Sequence, residues 1–232
     1  LHDYILPLNF PALPDLPNKD DWEQISLDQL RAWKYAPELP HFVSRISKSL
    51  SLTTFGCNLS EFHKNLLKSI KSGLSEDEAL ASMTIHPAKI CGISKYTGTL
   101  EEGKMANFFI VNGSSYFVNS PEIHSTWTSG MPDLFLNRKK SNDSNGTKVL
   151  SRKTGHANIF ETKLNSPIRT PEIVLFQNFH LWTCESNGIL RNHDILVQKG
   201  RIKAIGKNLS DDISGEVNVI QGNGKHLTPG II

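Results

Sequence analysis

Residues 98–111, GTLEEGKMANFFIV, join a tight turn to a short apolar run and separate two parts of the chain that differ in character. Glu102-Gly103 is typical of a turn, and the run from Asn107 to Val111 predicts a buried strand. Before this stretch the sequence mixes helical and strand patterns, whereas after it nearly every pattern is that of a strand. The chain is therefore predicted to be an α+β protein.

The part before the turn begins with a strand pattern and a helix pattern. An apolar run at 4–10, broken by Pro7, predicts a strand, and residues 49–55 predict another. Between them Ser26 is suited to cap a helix of amphipathic spacing, which Pro37 is expected to end.

Two more helices are predicted before residue 92. One is expected to open at Ser60 and to end at Gly73, because apolar residues recur there at helical spacing. The next begins at Ser75, which forms the pattern of a capping box with Glu78. Pro87 is expected to bend this helix or to restart it.

The part after the turn is predicted to be strand and loop. Residues 137–148, NRKKSNDSNGTK, have the composition of a loop or linker, with short edge strands expected at 148–151 and 158–164. From residue 171 on, strand patterns dominate. They include a hairpin at Lys199-Gly200 and two short strands around Gly222 and Gly224.

Composition excludes several classes of partner and site. A net charge of +2 is too small to indicate nucleic acid or an anionic membrane as a partner. The three cysteines, Cys57, Cys91 and Cys184, are far apart and form no CxxC pair, which disfavours both a thiolate zinc site and a disulfide framework. No apolar run approaches 18 residues, so no membrane span is expected.

Residues 79–111 resemble the closing segment of the amidohydrolase superfamily, the metal-dependent hydrolases that include imidazolonepropionase and dihydroorotase. The resemblance lies in a Thr-x-x-Pro-Ala-Lys pattern and in the glycine turn that follows it. Asn107 stands where the family usually has an acidic residue. The matching positions are Thr84, Pro87, Ala88, Lys89, Gly98, Leu100, Gly103, Lys104 and Ala106.

Residues 173–232 resemble the opening segment of the same superfamily. The matching positions are Gly200, Arg201, Ile202, Ile205, Gly206, Gly224, Lys225, Pro229, Gly230 and Ile232. In this chain the stretch that resembles the family's closing segment therefore comes before the stretch that resembles its opening segment. A circular permutation would explain this order, but 232 residues cannot hold a barrel of typically ~250. The favoured interpretation is a fragment that spans the end of one unit and the start of a second in a tandem protein.

This interpretation divides the chain into three parts. Residues 1–96 would be the C-terminal end of a degenerate (β/α)8 barrel, and residues 97–165 the C-terminal β-sandwich strands of the first unit with a linker. Residues 166–232 would be the N-terminal β-sandwich strands of the second unit. The two sets of strands are expected either to pair with each other or to pair each with its own absent half.

The resemblance implies a divalent metal at the C-terminal ends of the barrel strands, with an Asp after the last strand. That Asp is expected near Thr54 or Phe55, and neither residue is acidic; the nearest acid, Glu61, begins the next helix. The sequence therefore predicts no catalytic, cofactor-binding or metal-binding residue in this segment. Zinc or another divalent metal is expected only in the parent protein.

The histidines are interpreted as structural. His2-Asp3 is a weak candidate ligand pair without partners, and His63 is expected on the surface or half-buried on a helix. His86 is expected to cap or to pack, and His180 and His193 to lie on a sheet surface. The tryptophans, Trp22, Trp33, Trp127 and Trp182, are interpreted as core or interface residues.

Two functions remain open. The first is a structural segment of an amidohydrolase-like hydrolase that acts on non-peptide C–N bonds of amides or cyclic amides. Its partners would be the rest of the parent chain or a second copy, and the parent would take a small-molecule substrate. The second is a self-contained β-sandwich interaction or binding module without catalysis. The sequence does not fix the compartment, although tandem proteins of this kind favour a periplasmic or secreted location in bacteria.

Overall fold

A computed structural model describes residues 2–12, 25–113, 115–133, 173–213 and 217–232. Within them the helices lie between residues 27 and 90, and most strands follow residue 107. The α+β prediction is confirmed. The strands predicted at 148–151 and 158–164, the linker at 137–148 and Trp22 lie outside the described residues.

The first part is built on two parallel strands, β1 (Asp3–Pro7) and β2 (Ser49–Thr53), which pair in register from Asp3↔Ser49 to Pro7↔Thr53. The helices α1 (Leu27–Tyr35) and α2 (Leu39–Ile46) lie between the strands in sequence. Three helices follow β2: α3 (Leu59–Lys71), α4 (Glu76–Ala81) and α5 (Ile85–Ile90). This is a β-α-β-α order, in which each strand is followed by a helix.

Local capping explains where these helices begin. Ser26 caps α1 in a capping box with Gln29. Ser75 accepts a hydrogen bond from the Glu78 amide, as predicted, while the Glu78 carboxylate lies 3.9 Å from His86 Nδ1. The helix is indeed interrupted and restarts as α5 one residue before His86.

One helix end agrees with the prediction and one helix start differs from it. The helix α1 ends at Tyr35, just before Pro37 as expected, and Pro37 lies in a 3₁₀ turn at 36–38 that leads directly into α2. Proline is well tolerated in the first turn of a helix, where its missing N–H has no partner to lose. The N-cap of α3 is Asn58 rather than Ser60, and its side chain accepts from the Ser60 amide.

In the described residues, the second part forms an eight-stranded sheet with the order β5-β4-β3-β10-β6-β7-β8, in which β9 also pairs with β6. The strands are β3 (Phe108–Asn112), β4 (Glu122–Thr128), β5 (Met131–Asp133), β6 (Ile173–Trp182), β7 (Ile189–Gln198), β8 (Arg201–Gly206), β9 (Asn218–Gln221) and β10 (His226–Pro229). The predicted hairpin at Lys199-Gly200 joins β7 to β8.

The sheet joins the two regions that carry the opposite family signatures. β10 pairs antiparallel with β3 on one side and parallel with β6 on the other. At the far edge, residues 103–106 run beside β8, where Gly103 N donates to Ile202 O and Ile202 N donates to Lys104 O. Of the two pairings left open by the sequence, the described residues adopt the one within the chain.

The hairpin turns at 129–130 and 199–200 belong to opposite ends of the strand order, and they meet closely. A Cβ on Gly200 would lie 2.6 Å from Ser129 O, and a Cβ on Gly130 would lie 2.9 Å from the Gly200 Cα. Both glycines have positive φ, which other residues rarely adopt. Ala106 lies between the turns, donating to Gly200 O and accepting from Gly130 N.

Each part has its own apolar core. The sheet core contains aromatic residues from both signature regions, with Phe108 from the first and Phe176 and Phe179 from the second, and Trp127 of β4 packs with them. The helical core gathers Leu50, Leu66 and Leu80 with others from β2, α3 and α4. Trp182 belongs to the helical core although its backbone lies in β6, so its side chain links the two parts.

Candidate functional site

The candidate site is the strand-end region, defined here as residues 8–10 and 54–57, which follow β1 and β2 directly. Because the strands are parallel, their C-terminal ends lie at the same edge. Leu8 N donates to Thr53 O, and Leu8 O accepts from Asn65 Nδ2 at 2.8 Å and from Cys57 Sγ at 3.4 Å. The backbone of this region is therefore held in place by α3.

The side chains of the strand-end region offer poor ligands for a divalent ion. Thr54 and Phe55 follow β2 where the sequence placed them, and Phe55 is 81% exposed. The Thr53 hydroxyl accepts from the Phe55 amide, which fixes a local turn. Asn9 and Cys57 supply the remaining polar groups, without a carboxylate or an imidazole.

Across the described ranges, no three His, Cys, Asp or Glu residues are grouped so that they could hold a metal ion. The donor set at the strand ends does not fit the metal that the family implies. We derive no chemical step through such a metal for this chain. Nor is any helix among the described residues long and apolar enough to cross a membrane.

Four of the candidate histidines have structural contacts. The His63 ring nitrogen Nε2 lies 2.7 Å from Val118 O, and the ring packs edge-on against Tyr116 at 5.0 Å. His86 Nδ1 lies 2.8 Å from Leu50 O, so it ties α5 to β2. His193 Nδ1 lies 2.9 Å from Arg191 O on the same strand, and His2 O accepts from Lys48 N.

Asp3 and His180 complete the candidate residues. The Asp3 carboxylate accepts a 2.6 Å hydrogen bond from the Ser49 hydroxyl, which fastens the start of β1 to β2. His180 lies in β6 opposite His226 of β10, with ring centroids 5.0 Å apart. His226 is therefore a neighbour that the sequence did not indicate, since the two histidines are 46 positions apart and only strand pairing unites them.

The histidine pair is also unsuited to a metal. Trp182 Nε1 donates to His226 Nδ1 at 2.7 Å, and an indole nitrogen can only donate. The His226 proton is consequently on Nε2, which has no lone pair for a metal in that tautomer. The arrangement fixes a neutral imidazole between two strands.

A buried lysine joins the two signature regions. Lys104 is 8% exposed, and its ammonium donates to the Thr99 hydroxyl and, at 2.9 Å, to the Glu101 carboxylate. A hydrogen bond from Glu185 holds the pKa of Glu101 low, at about 2, with further help from Thr99 and Lys104. The interaction with Glu101, together with burial, raises the pKa of Glu185. The motif lysine, Lys104, thus forms stabilising contacts in the interior of this chain.

Asn107 replaces the usual acidic residue of the family and still accepts hydrogen bonds. Its Oδ1 accepts from Ser129 N at 2.8 Å, and its backbone carbonyl accepts from Gly230 N at 3.0 Å. An amide oxygen supplies the same acceptor as a carboxylate oxygen at that position. The contacts at Asn107 are those of a structural residue that holds two turns together.

A cleft of about 350 Å³ lies between the start of α4 and the turn after β6. Asp77, Glu78, Cys184 and Glu185 are among its lining residues. Burial raises the pKa of the Cys184 thiol to about 11, so it is protonated at neutral pH. The Cys184 thiol is therefore not activated as a nucleophile.

Among the described residues, the first part is thus a β-α-β-α unit in which no group of metal ligands is found, and it is attached to a mixed sheet. Residues 46–140 match the model of the amidohydrolase family, so this part of the chain is similar to that family. The matched region runs from the end of α2 through the helical core into the sheet. No curated protein and no solved structure matches the chain.

Proposed function

We propose that this chain is a structural segment of an amidohydrolase-like hydrolase whose parent acts on non-peptide C–N bonds of amides or cyclic amides. The supporting observation is the pairing of β3 with β10, which places the family's closing and opening signatures in one sheet. The segment orients a barrel against this sheet and does not itself react. A metal, zinc or another divalent ion, would belong to other parts of the parent.

The domain division follows from the same proposal. Residues 1–96 form the end of a degenerate barrel, residues 97–165 the closing sandwich strands with a linker, and residues 166–232 the opening strands of a second unit. The β-α-β-α order of the first part is consistent with two successive barrel units. The proposed location remains periplasmic or secreted.

An apolar surface supports the proposal that more of a barrel packs against this segment. The outward stripe of α2 consists of Leu39, Phe42 and Ile46, which are 46%, 55% and 64% exposed. Tyr4 and Ile5 of β1 are also exposed on the same part of the chain. Parallel strands are normally covered on both faces, so these residues fit contact with the rest of the parent chain or with a second copy.

Self-association of the purified chain tests the surface. We expect the 232-residue chain to associate at micromolar concentration and Phe42→Glu to reduce the association, as measured by light scattering. Lys64→Gln, an exposed change on α3, lowers the net charge by one unit, as Phe42→Glu does, and is the matched control for charge. A strictly monomeric wild-type chain would contradict the proposal that this surface needs a partner.

Metal content and turnover test the structural role. After incubation with zinc and gel filtration, we expect less than about 0.1 zinc ion per chain by mass spectrometry, since a tight site needs a preformed ligand set. We also expect no hydrolysis of a panel of cyclic amides above the buffer rate. One tightly retained ion per chain, or metal-dependent turnover, would overturn the proposal.

The identity of the parent is tested separately by sequencing the transcript beyond the codon for Ile232. The proposal expects an Asp-x-His-x-His sequence within the next few codons, as the resemblance implies. Any other sequence would leave the segment's structural role standing but would remove the second unit.

The alternative function is a self-contained interaction module without catalysis. The observation that favours it is the sheet core, to which both signature regions contribute within this chain. A monodisperse monomer with one cooperative melting transition is expected for such a module. Association through the α2 stripe is expected only for the first proposal.

A further inference from the structure

His226, His180 and Trp182 form the histidine joint, the point where the sheet meets the helical core. The Trp182 backbone is in β6, but its indole is 5% exposed and packs on Phe117 at a centroid distance of 6.0 Å within the helical core. The indole nitrogen donates to His226 Nδ1 of β10 at 2.7 Å. One hydrogen bond thus connects the last strand of the sheet to the packing of the other part.

The direction of this hydrogen bond makes it sensitive to protonation. Trp182 Nε1 is a donor only, so it requires a lone pair on His226 Nδ1. A protonated imidazole carries hydrogen on both nitrogens and presents N–H to N–H across this short distance. The bond therefore exists only with the neutral form of His226.

The groups around His226 all disfavour its positive charge. His180 faces it from β6 at 5.0 Å, and Arg191 of β7 adds positive potential. On the other side β3 places the apolar Val111 opposite His226. Lys225 precedes His226 of β10. Lys225 also lies near His124 of β4, and the acidic group that acts on His124 is Glu122. Burial first, then His180 and Arg191, lower the pKa of His226 below its ordinary value.

His180 adds a second unusual feature. Its Nδ1 atom is buried without a hydrogen-bond partner, while its backbone amide donates to Lys225 O at 3.0 Å. The ring is therefore held against His226 by the strand pairing rather than by a bond of its own. A positive charge on His180 would raise the cost of charging His226.

We propose that the histidine joint is a pH-sensitive connection, in which protonation of His226 breaks the bond to Trp182 and loosens the helical core from the sheet. The folded state resists protonation of His226, while the unfolded chain binds the proton at an ordinary histidine pKa near ~6.5. Stability contributed by the joint is thus present above that pH and is lost as the pH falls below it.

The test follows the Trp182 indole proton by NMR on the whole chain labelled with ¹⁵N-tryptophan, assigned with Trp182→Phe. We expect its exchange with solvent, corrected for the intrinsic pH dependence, to be at least about tenfold faster at pH 5 than at pH 8. His226→Asn keeps an acceptor oxygen near the Nδ1 position and cannot titrate. That variant should show the same protection at both pH values.

His193→Asn is the matched control, because the His193 ring bonds to Arg191 O of the same strand and lies outside the joint. It should reproduce the wild-type profile. Arg191→Gln removes the positive neighbour and should raise the midpoint of the transition. If His226→Asn does not fold by circular dichroism, the midpoint shift in Arg191→Gln and the wild-type titration decide the question. Equal protection at pH 5 and pH 8 in the wild type, or acid loss that persists unchanged in His226→Asn, would overturn the proposal.

Discussion

The contact between Phe108 and Phe176 provides a direct test of whether the two signature regions form one unit. Phe108 lies in β3 and Phe176 in β6, and their rings meet edge-to-face at 5.0 Å and 90°. Both side chains are at most 1% exposed, so the contact between the two rings is buried away from solvent. An energetic coupling between them requires that both regions fold into the same core.

A double-mutant cycle measures that coupling. Phe108→Leu and Phe176→Leu are each expected to lower the free energy of unfolding by about 1–3 kcal/mol, as large-to-small changes in a core do. An edge-to-face aromatic pair is worth ~0.5–1.5 kcal/mol beyond its buried area. The double variant should therefore be less destabilised than the sum of the single variants by about that amount.

Urea unfolding followed by circular dichroism gives the four free energies. The control cycle combines Phe176→Leu with Leu66→Ala, because Leu66 lies in the helical core and its effect should add within ~0.5 kcal/mol. Additive effects of Phe108→Leu and Phe176→Leu, or two separate unfolding transitions for β3 and β6, would refute a common core.

Four further outcomes are expected. Lys104→Met should lower the free energy of unfolding by ~1–3 kcal/mol in urea, because it leaves a part-buried carboxylate without its cation. The pKa of Glu101 is about 2 in the folded chain and 4.5 in the unfolded chain. Glu101 therefore contributes stability that is present above pH 4.5 and is lost as the pH falls toward 2. Glu101→Gln should reduce this fall of the melting temperature in acid, as thermal melts would show. Gly200→Ala should lower the melting temperature by several degrees, roughly as expected for ~1–3 kcal/mol of strain, because the new methyl group would overlap a backbone oxygen. Iodoacetamide should modify the exposed Cys91 at least about tenfold faster than Cys184 at pH 8, as mass spectrometry of the peptides would show.

The local elements were largely predictable, because capping and turn residues act over a few positions. Ser26 and Lys199-Gly200 mark a helix start and a hairpin in the sequence, and both are found there. The helix α2 was missed because Pro37 reads as a stop, whereas in the structure it starts a 3₁₀ turn that continues into a new helix. β4 and β5 were missed as well, because their alternation is interrupted by Ser125 and Pro132.

The long-range pairings were not predictable from local patterns. Nothing near His226 in the sequence indicates that it lies beside His180 and bonds to Trp182, since those contacts depend on the register between β6 and β10. The contacts among Lys104, Glu101 and Glu185 were likewise not indicated by the sequence around each residue. In contrast, the absence of an acid near Thr54 and Phe55 is a local property of the sequence, and the structure places both residues at the strand ends as expected.

The place of β10 in the sheet has a consequence for folding during synthesis. Thr228 and Phe109 are 119 positions apart in sequence, yet β10 completes the inner edge of β3. At ~5–20 residues per second, a ribosome that has made β3 needs on the order of ten seconds to deliver its partner. During that interval the apolar residues Phe109 and Val111 lack the strand that later covers their backbone edge. The nascent chain therefore depends on slow, late closure, and chaperones or dilution should affect its yield more strongly than the stability of the finished sheet suggests.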